Sequence, residues 1–284
     1  MIKLLKPLNA LLLLSLVSVG VTSCANEKTI RICASEIPHA KILNECIKPL
    51  LKEEGYSLQV RVLDWTEQNS AVASGDYDAN YFQHMSYLET YNASVEDNLK
   101  LTGVVKVHYE RLCMYASSLD DKVLDNGEKI VIVDDLSNIE RALKLLEQEN
   151  IITINDNAYV NGEFTFDTTK PLDYVTFEEE YQDCTLKCLP ENTLCAALPD
   201  YDFGILSGNT AMLGLSSYQE RIVFGENSEE EEDAKANVIA CRTNDVDNEK
   251  IQTLVKVFAN EAVSTYIQDT FGESVKYHYV NLLA

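Results

Sequence analysis

The sequence predicts an α/β protein made of two lobes. Strand-like apolar segments alternate with helical ones from residue 28 onward, which is the pattern of parallel sheets covered by helices. A length of 284 residues suits one large domain or two of ordinary size. The segment "ANVIACR" near the C-terminus is a strand that returns to the first unit, so extended crossovers join two lobes and favour a hinged architecture.

The N-terminus predicts export. Residues 1–23 carry two lysines and then an apolar run that is too short for a confident membrane span, as in a secretory signal peptide. The segment ends in "VTSC", which resembles the lipobox of bacterial lipoproteins and predicts acylation of Cys24. A lipid on Cys24 would hold the protein on the outer side of the cytoplasmic membrane, with residues 24–29 as a tether. A plain signal peptide with an accidental cysteine is the alternative.

The first lobe is expected to comprise residues 30–107 and 236–284. "KTIRICA" predicts a strand, an apolar helical pattern follows it as far as Gly55, and "SLQVRVL" alternates as a second strand. A short helix capped by Thr66 leads to a third strand, "DYDANYF". This β-α-β-α-β order predicts a parallel sheet whose ligands bind beyond the carboxyl ends of its strands.

The second lobe is expected to span residues 108–235. "EKIVIVDD" predicts a strand, and Ser137 with Glu140 forms a capping box that announces the helix "SNIERALKLLEQEN". "YVNGEF" contains an Asn-Gly hairpin turn, and "YDFGIL" is a further strand. After the return strand, one long amphipathic helix closes the chain near Gly272.

Charge excludes several partners. The chain has 23 Lys plus Arg against 46 Asp plus Glu, a formal net charge of -23. Nucleic acids and anionic membrane surfaces demand basic patches, so we expect neither as a partner and expect membrane contact only through the lipid anchor. We expect a monomer. The acidic run at 226–235 should be a solvated loop, because adjacent acids repel one another.

Cysteine spacing leaves several possibilities. Seven cysteines follow Cys24, so they cannot all pair within one chain. Those at 33, 46, 113 and 241 lie in apolar runs and are expected in the core. "CTLKC" and the nearby Cys195 allow a local disulfide, a metal site or ordinary thiols, and the absence of a second close pair argues against zinc. We expect no metal site.

Motifs for catalysis are missing. The sequence has no glycine-rich phosphate loop, no Gly-x-Ser-x-Gly elbow and no His-Glu-x-x-His, so we expect neither an enzyme nor a cofactor. The best enzymatic alternative pairs Cys113 with His108. A metal-ion-binding receptor that uses His39, His84 and nearby acids is a further alternative.

A family resemblance rests on four motifs in order: "IPHAKIL", "GDYDANYFQHMSYLETYN", "DDLSNIERALKLLE", and "GNTA" with "ANVIACR". Together these resemble the methionine-binding lipoproteins of ABC importers, the MetQ/NlpA type, over nearly the whole mature chain. The resemblance implies a type II periplasmic-binding-protein fold, with a cleft between two α/β lobes that closes on methionine. It also implies delivery to an ABC permease and its ATPase.

The resemblance implies ligand contacts at eight positions: Trp65, Phe82, His84, Tyr87, Asn138, Arg141, Asn209 and Asn237. Arg141 near a helix start suits a carboxylate, through two parallel hydrogen bonds. The two last asparagines could offer carbonyl oxygens to an ammonium group, and aromatic rings suit a thioether. As alternatives, Tyr81 rather than Phe82 could face the site, His84 could simply cap a helix, and Arg141 could be solvated.

Three departures from the family pattern affect the expected ligand. This chain has "DDLSN" for "NDPTN", "SGNTA" for "NGNYA", and "ERLCMYAS" for "EPMGLYS". Since these segments surround the expected pocket, a different amino acid or a short methionine-containing peptide is an alternative ligand.

Overall fold

A computed structural model of the protein describes residues 28–226 and 233–284. The signal peptide, Cys24 and most of the tether lie outside the described residues, as does the middle of the acidic run. Within the described ranges, no helix is both long and apolar enough to cross a membrane.

The chain alternates strands and helices in both lobes. The strands are β1 Thr29–Ala34, β2 Ser57–Val62, β3 Ala79–His84, β4 Leu101–Glu110, β5 Cys113–Ala116, β6 Lys129–Val133, β7 Ile152–Ile154, β8 Tyr159–Val160, β9 Glu163–Phe164, β10 Val175–Phe177, β11 Thr185–Leu189, β12 Phe203–Leu206, β13 Ile222–Gly225, β14 Asn237–Arg242 and β15 Val275–Asn281. The α-helices are α1 Lys48–Glu53, α2 Trp65–Ala73, α3 Met85–Ser94, α4 Leu136–Gln148, α5 Glu191–Ala197, α6 Gly208–Gly214, α7 Glu249–Phe258 and α8 Glu261–Phe271.

The first lobe is built on a six-stranded sheet in the order β15-β4-β14-β3-β1-β2. β1 is parallel to both β2 and β3, as the sequence predicts. β14 returns from the second lobe and lies antiparallel between β3 and β4, which confirms the predicted return strand. β4 carries this sheet as far as Glu110, three residues past the expected boundary. Neither β4 nor β15 was predicted from the sequence.

The second lobe is built on a five-stranded sheet in the order β11-β6-β12-β5-β13. β6 is parallel to its neighbours β11 and β12, while β5 is antiparallel to β12 and β13. The predicted hairpin is confirmed at β8 and β9. Its turn residues Asn161 and Gly162 both have positive φ, 54° and 85°.

Each sheet has apolar residues buried on both faces. Tyr81, Val105 and Phe258 belong to the larger core of the first lobe, and Cys33 and Val238 to the smaller core on the opposite face. The second lobe likewise has one core against α4 and another beneath α5 and α6. Because helices cover both faces of each sheet, the free strand ends and their loops are left to form a cleft.

Helix boundaries differ from the sequence predictions at three places. Asp64, not Thr66, caps α2, and Asp135, not Ser137, caps α4, since each aspartate accepts a backbone N–H in the first turn. The long closing helix is two helices, because the first ends at Phe258 and Asn260 caps the second. Short acceptors placed just before a helix outcompete the hydroxyls that follow them.

Seven cysteines are free thiols in the described part of the chain. Those predicted for the core, at 33, 46, 113 and 241, are buried. Cys184 and Cys188 are also buried, the first just before strand β11 and the second on it. Cys195 is the half-buried exception on α5. Of the possibilities left open for these last three, ordinary thiols are what the structure has.

Candidate functional site

A cavity of about 480 Å³ lies between the two sheets. All eight residues named from the sequence line it, five from the first lobe and three from the second. The first group is Trp65, Phe82, His84, Tyr87 and Asn237, and the second is Asn138, Arg141 and Asn209. Its size is within the range of small-molecule sites, which is roughly 300–1,000 Å³.

An aromatic wall is formed by Trp65, Phe82 and Tyr87. Tyr87 in the first turn of α3 contacts both other rings edge-on, with ring centroids 5.3 Å from Trp65 and 5.6 Å from Phe82. Tyr81 points the other way and packs in the core against Phe258, with centroids 5.8 Å apart. Alternation along β3 therefore places Phe82, and not Tyr81, in the cleft.

His84 connects the two lobes. Its Nδ1 accepts the Tyr87 N–H (3.2 Å) and caps α3, while Nε2 donates to Asn138 Oδ1 (3.1 Å) on α4. Asn138 is itself held by the α4 cap, because its N–H donates to Asp135 Oδ1 (3.1 Å). Burial, followed by the charge of Arg141, lowers the pKa of His84 to about 3. His84 is thus neutral and links the two lobes across the cleft. It also caps helix α3, which was the alternative role considered from the sequence.

Arg141 is buried and already paired. Its Nε and Nη2 donate to the two carboxylate oxygens of Glu226, and Nη2 also donates to the Glu110 carbonyl (2.8 Å). Glu226 accepts further bonds from the Tyr109 hydroxyl (2.7 Å) and the Leu112 N–H (2.9 Å). Of the guanidinium nitrogens, Nη1 has no bond to any residue in the described ranges. The two-pronged face expected to receive a ligand carboxylate is therefore occupied by Glu226.

Glu226 also corrects the prediction for the acidic run. It is only 3% exposed, whereas a solvated loop was expected at this position. At the other end of the run, Asp233 pairs with Lys106 (2.7 Å) and His278 (2.9 Å). These ion pairs could not be predicted from a run of like charges, because the partners of each acid lie far away in sequence.

The carbonyl oxygens of the two cleft asparagines are engaged. Asn237 Oδ1 accepts from His39 Nε2 (3.1 Å), and Asn209 Oδ1 accepts the Thr210 N–H (2.8 Å). The Asn209 N–H in turn donates to Glu110 Oε2 (2.7 Å). These bonds leave the amide N–H groups, rather than the oxygens, for a ligand.

Four acids that line the cavity were not predicted from the sequence, and two of them, Glu110 and Glu191, are not exposed. Glu110 ends β4 and is buried, and burial raises its pKa. Glu191 begins α5, where its Oε1 lies 2.5 Å from the Thr210 hydroxyl and 2.7 Å from the Ser207 hydroxyl. Glu110 stands at the carboxyl end of β4, where α/β proteins place their sites, and it was missed because that strand was not predicted.

Behind the cleft, His39, His108 and Glu110 form a compact buried cluster. One ligand atom from each lies within 4.8 Å of the other two. His108 Nε2 is 2.8 Å from Glu110 Oε1 and His39 Nε2 is 3.4 Å from it. Two imidazoles and a carboxylate are suitable ligands for a transition metal. His84 is not a member, so the predicted grouping of His39 with His84 is wrong.

Cys113 lacks the character of a nucleophile. It is buried, and burial raises the pKa of its thiol, so little thiolate forms at neutral pH. Burial also lowers the pKa of His108 to about 3, and its Nδ1 bonds to the Tyr81 hydroxyl. Neither group is prepared for hydrolase chemistry.

Comparison with known proteins decides the family. The model of the family described as NlpA lipoprotein matches residues 30–278, which include the whole second sheet, all but the ends of the first, and every residue that lines the cleft. The chain belongs to the NlpA lipoprotein family. This confirms the resemblance found in the sequence, and the two-lobed α/β fold agrees with that of solved relatives.

Relatives of this NlpA lipoprotein include solute-binding proteins. The methionine-binding lipoprotein MetQ of Bacillus subtilis is 29% identical over 257 residues, 88% of each chain. The membrane lipoprotein TpN32 of Treponema pallidum is 27% identical over 89% of this chain and 90% of its own. A lipoprotein structure from Ruminococcus gnavus superposes with a TM-score of 0.76 at 33% identity, covering 88% of this chain and 99% of that one.

Proposed function

We propose that this protein is the extracytoplasmic solute-binding subunit of an ABC importer, and that its cleft binds methionine or a closely related amino acid. The observation that carries the proposal is the convergence of eight residues, seven of them named from sequence motifs and Trp65 from its place after the second strand, on one cavity between two lobes. Family membership supports the role, and the MetQ relative supports the ligand.

The two ends of the cavity suit the two ends of methionine. Trp65, Phe82 and Tyr87 offer ring edges and faces to a thioether, which is a favourable contact worth about 0.3–1.5 kcal/mol. At the other end, Arg141 Nη1 and the amide groups of Asn209 and Asn237 are donors for a carboxylate. A ligand that uses both ends contacts both lobes and thus favours the closed form.

The lobes themselves are assigned to residues 30–110 with 236–284, and to 111–235, after the extension of β4. We further propose a monomer that is held on the outer face of the membrane by a lipid on Cys24 and passes its ligand to a permease with an attached ATPase. Intact-mass analysis of membrane-extracted protein tests the anchor. A diacylglycerol-modified chain beginning at Cys24 is expected, and a soluble chain with another N-terminus contradicts it.

Native mass spectrometry of freshly purified protein tests the ligand, because a closed cleft retains what it has bound. A retained mass equal to that of methionine is expected. Calorimetry with the ligand-free protein should then give micromolar or tighter affinity, roughly -8 kcal/mol. A protein that neither retains nor binds methionine, and retains another amino acid or a dipeptide instead, assigns the alternative ligand.

A metal-ion receptor is the second candidate, and the cluster of His39, His108 and Glu110 is the observation that favours it. Each of the three groups has a protein partner, although the buried Nδ1 of His39 has none in the described part of the chain, and these partners support a structural network over an ion site. Thermal unfolding separates the candidates. Methionine should raise the melting temperature of metal-free protein, whereas zinc or manganese should not.

A further inference from the structure

Glu191 is a cleft carboxylate with one oxygen that lacks a donor among the described residues, and unlike the other such lining acids, Glu36 and Asp64, it is not exposed. It lines the cavity from the second lobe, and its Oε1 takes the hydroxyls of Ser207 and Thr210. Its Oε2 has no donor among residues 28–226 and 233–284. No Lys, Arg or His nitrogen of those residues pairs with it either.

The other enclosed side-chain acceptors among the residues that line the cavity are engaged by the protein. His84 donates to the oxygen of Asn138, and His39 donates to that of Asn237. Both oxygens of Glu110 also have donors, from His108 and from the Asn209 backbone. A ligand ammonium group that enters this cavity therefore meets one enclosed acceptor that still lacks a donor, Glu191 Oε2.

The charge balance of the cavity points the same way. Its lining contains four acids, at 36, 64, 110 and 191, and one cation, Arg141. Arg141 is neutralised by Glu226, which is held by a tyrosine hydroxyl and a backbone N–H as well. The cleft thus has an excess of negative charge, and an ammonium group on the ligand reduces it.

We propose that Glu191 binds the ammonium group of the ligand and selects for ligands in which that group is free. The inference rests on the proposed function, since it assigns one residue to one end of an amino acid. The hydroxyls of Ser207 and Thr210 hold the carboxylate in place and stand at two positions where this chain departs from the family pattern. Burial, opposed by these hydroxyls, raises the pKa of Glu191, as expected for an acid without a cation.

Calorimetry with three ligands tests this assignment. Methionine has both charges, methioninamide keeps the ammonium but lacks the carboxylate, and N-acetylmethionine keeps the carboxylate but lacks the ammonium. Glu191→Gln retains an oxygen for both hydroxyls and removes the charge. The matched control is Glu179→Gln, the same change at an exposed acid of the same lobe outside the cavity.

We expect Glu191→Gln to weaken methionine and methioninamide at least about tenfold, because a charged hydrogen bond is lost. N-acetylmethionine should bind the wild type weakly and should be unaffected by the variant, and Glu179→Gln should match the wild type throughout. Melting temperatures of both variants near that of the wild type exclude a folding defect.

Two outcomes overturn the assignment. Tight methionine binding that Glu191→Gln leaves unchanged, or an equal loss of all three ligands, overturns the role of Glu191 and leaves the proposed function standing. Wild-type protein that binds none of the three overturns the proposed function and this inference together.

Discussion

Arg141 and Glu226, 85 positions apart in sequence, form a buried ion pair at the base of the cleft. Their side chains are 5% and 2% exposed, and the pair links helix α4 of the second lobe to the chain that leaves β13. The arginine that the sequence assigned to a ligand carboxylate thus already has a carboxylate of its own.

Removing one member of this pair should destabilise the protein strongly. Arg141→Ala or Glu226→Gln leaves a buried charge or a set of buried donors without its partner, and each is expected to cost about 3–5 kcal/mol. Combining the two changes should cost much less than their sum, since no unpaired charge remains. Urea unfolding at pH 7 measures this. Single variants that lose under about 1 kcal/mol would show that the pair is loose in solution.

Because Arg141→Ala should also destabilise the protein, it is a poor probe of ligand contact by itself. The double variant is the better one, because it tests binding in a protein whose charges are balanced. If Arg141 Nη1 holds the ligand carboxylate, the double variant should bind methionine more weakly, with methioninamide unaffected. An equal loss of affinity for both ligands would show that the ligand carboxylate binds somewhere other than Arg141.

His84 should make the protein less stable in acid. Its folded pKa of about 3 is below the ordinary value of 6.5, so the unfolded chain takes up a proton first as the pH falls below 6.5. Between pH 7.5 and 5.5 this group should remove about 1.4 kcal/mol of stability. His84→Asn keeps an acceptor for the helix cap and should lose that part of the pH dependence. Identical pH profiles for the two proteins would mean that the pKa of His84 is the same in the folded and unfolded states.

The aromatic wall should recognise a sulfur atom. Phe82→Ala is expected to weaken methionine binding by about 1.5–3 kcal/mol through lost apolar contact, and Phe82→Leu should recover much of it. Norleucine, which has a methylene in place of the sulfur, should bind the wild type about 0.3–1.5 kcal/mol more weakly than methionine. Competition calorimetry compares the ligands. If norleucine binds as tightly as methionine, the aromatic wall recognises the shape of the side chain and not its sulfur atom.

The middle of the acidic run should be dispensable. Replacing Glu229 to Glu232 with serine is expected to leave the dissociation constant for methionine within about threefold, under about 0.7 kcal/mol. Glu226 is the internal contrast, because it belongs to the same run and is buried. A larger loss, or a requirement for calcium, would place the run in the binding site.

Much of the first lobe could be predicted because local pattern decides it. The order of β1, β2 and β3 follows from alternating strands and helices, and the choice of Phe82 over Tyr81 follows once one face of β3 is buried. The eight cleft residues came from the family resemblance rather than from spacing. That all eight line one cavity could be seen only in the folded structure.

What could not be predicted depends on distant partners. β15 pairs with β4 across more than 160 residues of sequence, and its half-exposed tyrosines give no strong alternation. Glu191 and Glu226 each look like surface acids in the sequence. Only the folded chain shows that Glu226 is bonded to Arg141, and that Glu191 is bonded to hydroxyls 16 and 19 positions away.

The residues that directly follow β4 and β13 lead from one sheet towards the other, and Glu226 joins these two segments. It exchanges backbone and side-chain bonds with Leu112 (3.1 and 2.9 Å) and accepts one from Arg111 Nε at its carbonyl (2.8 Å). We expect these bonds to hold the two segments together when the lobes open, so that the hinge lies beside Glu226. The displacement should then be smallest beside Arg141 and largest at the outer rim of the cleft, where a solute must enter.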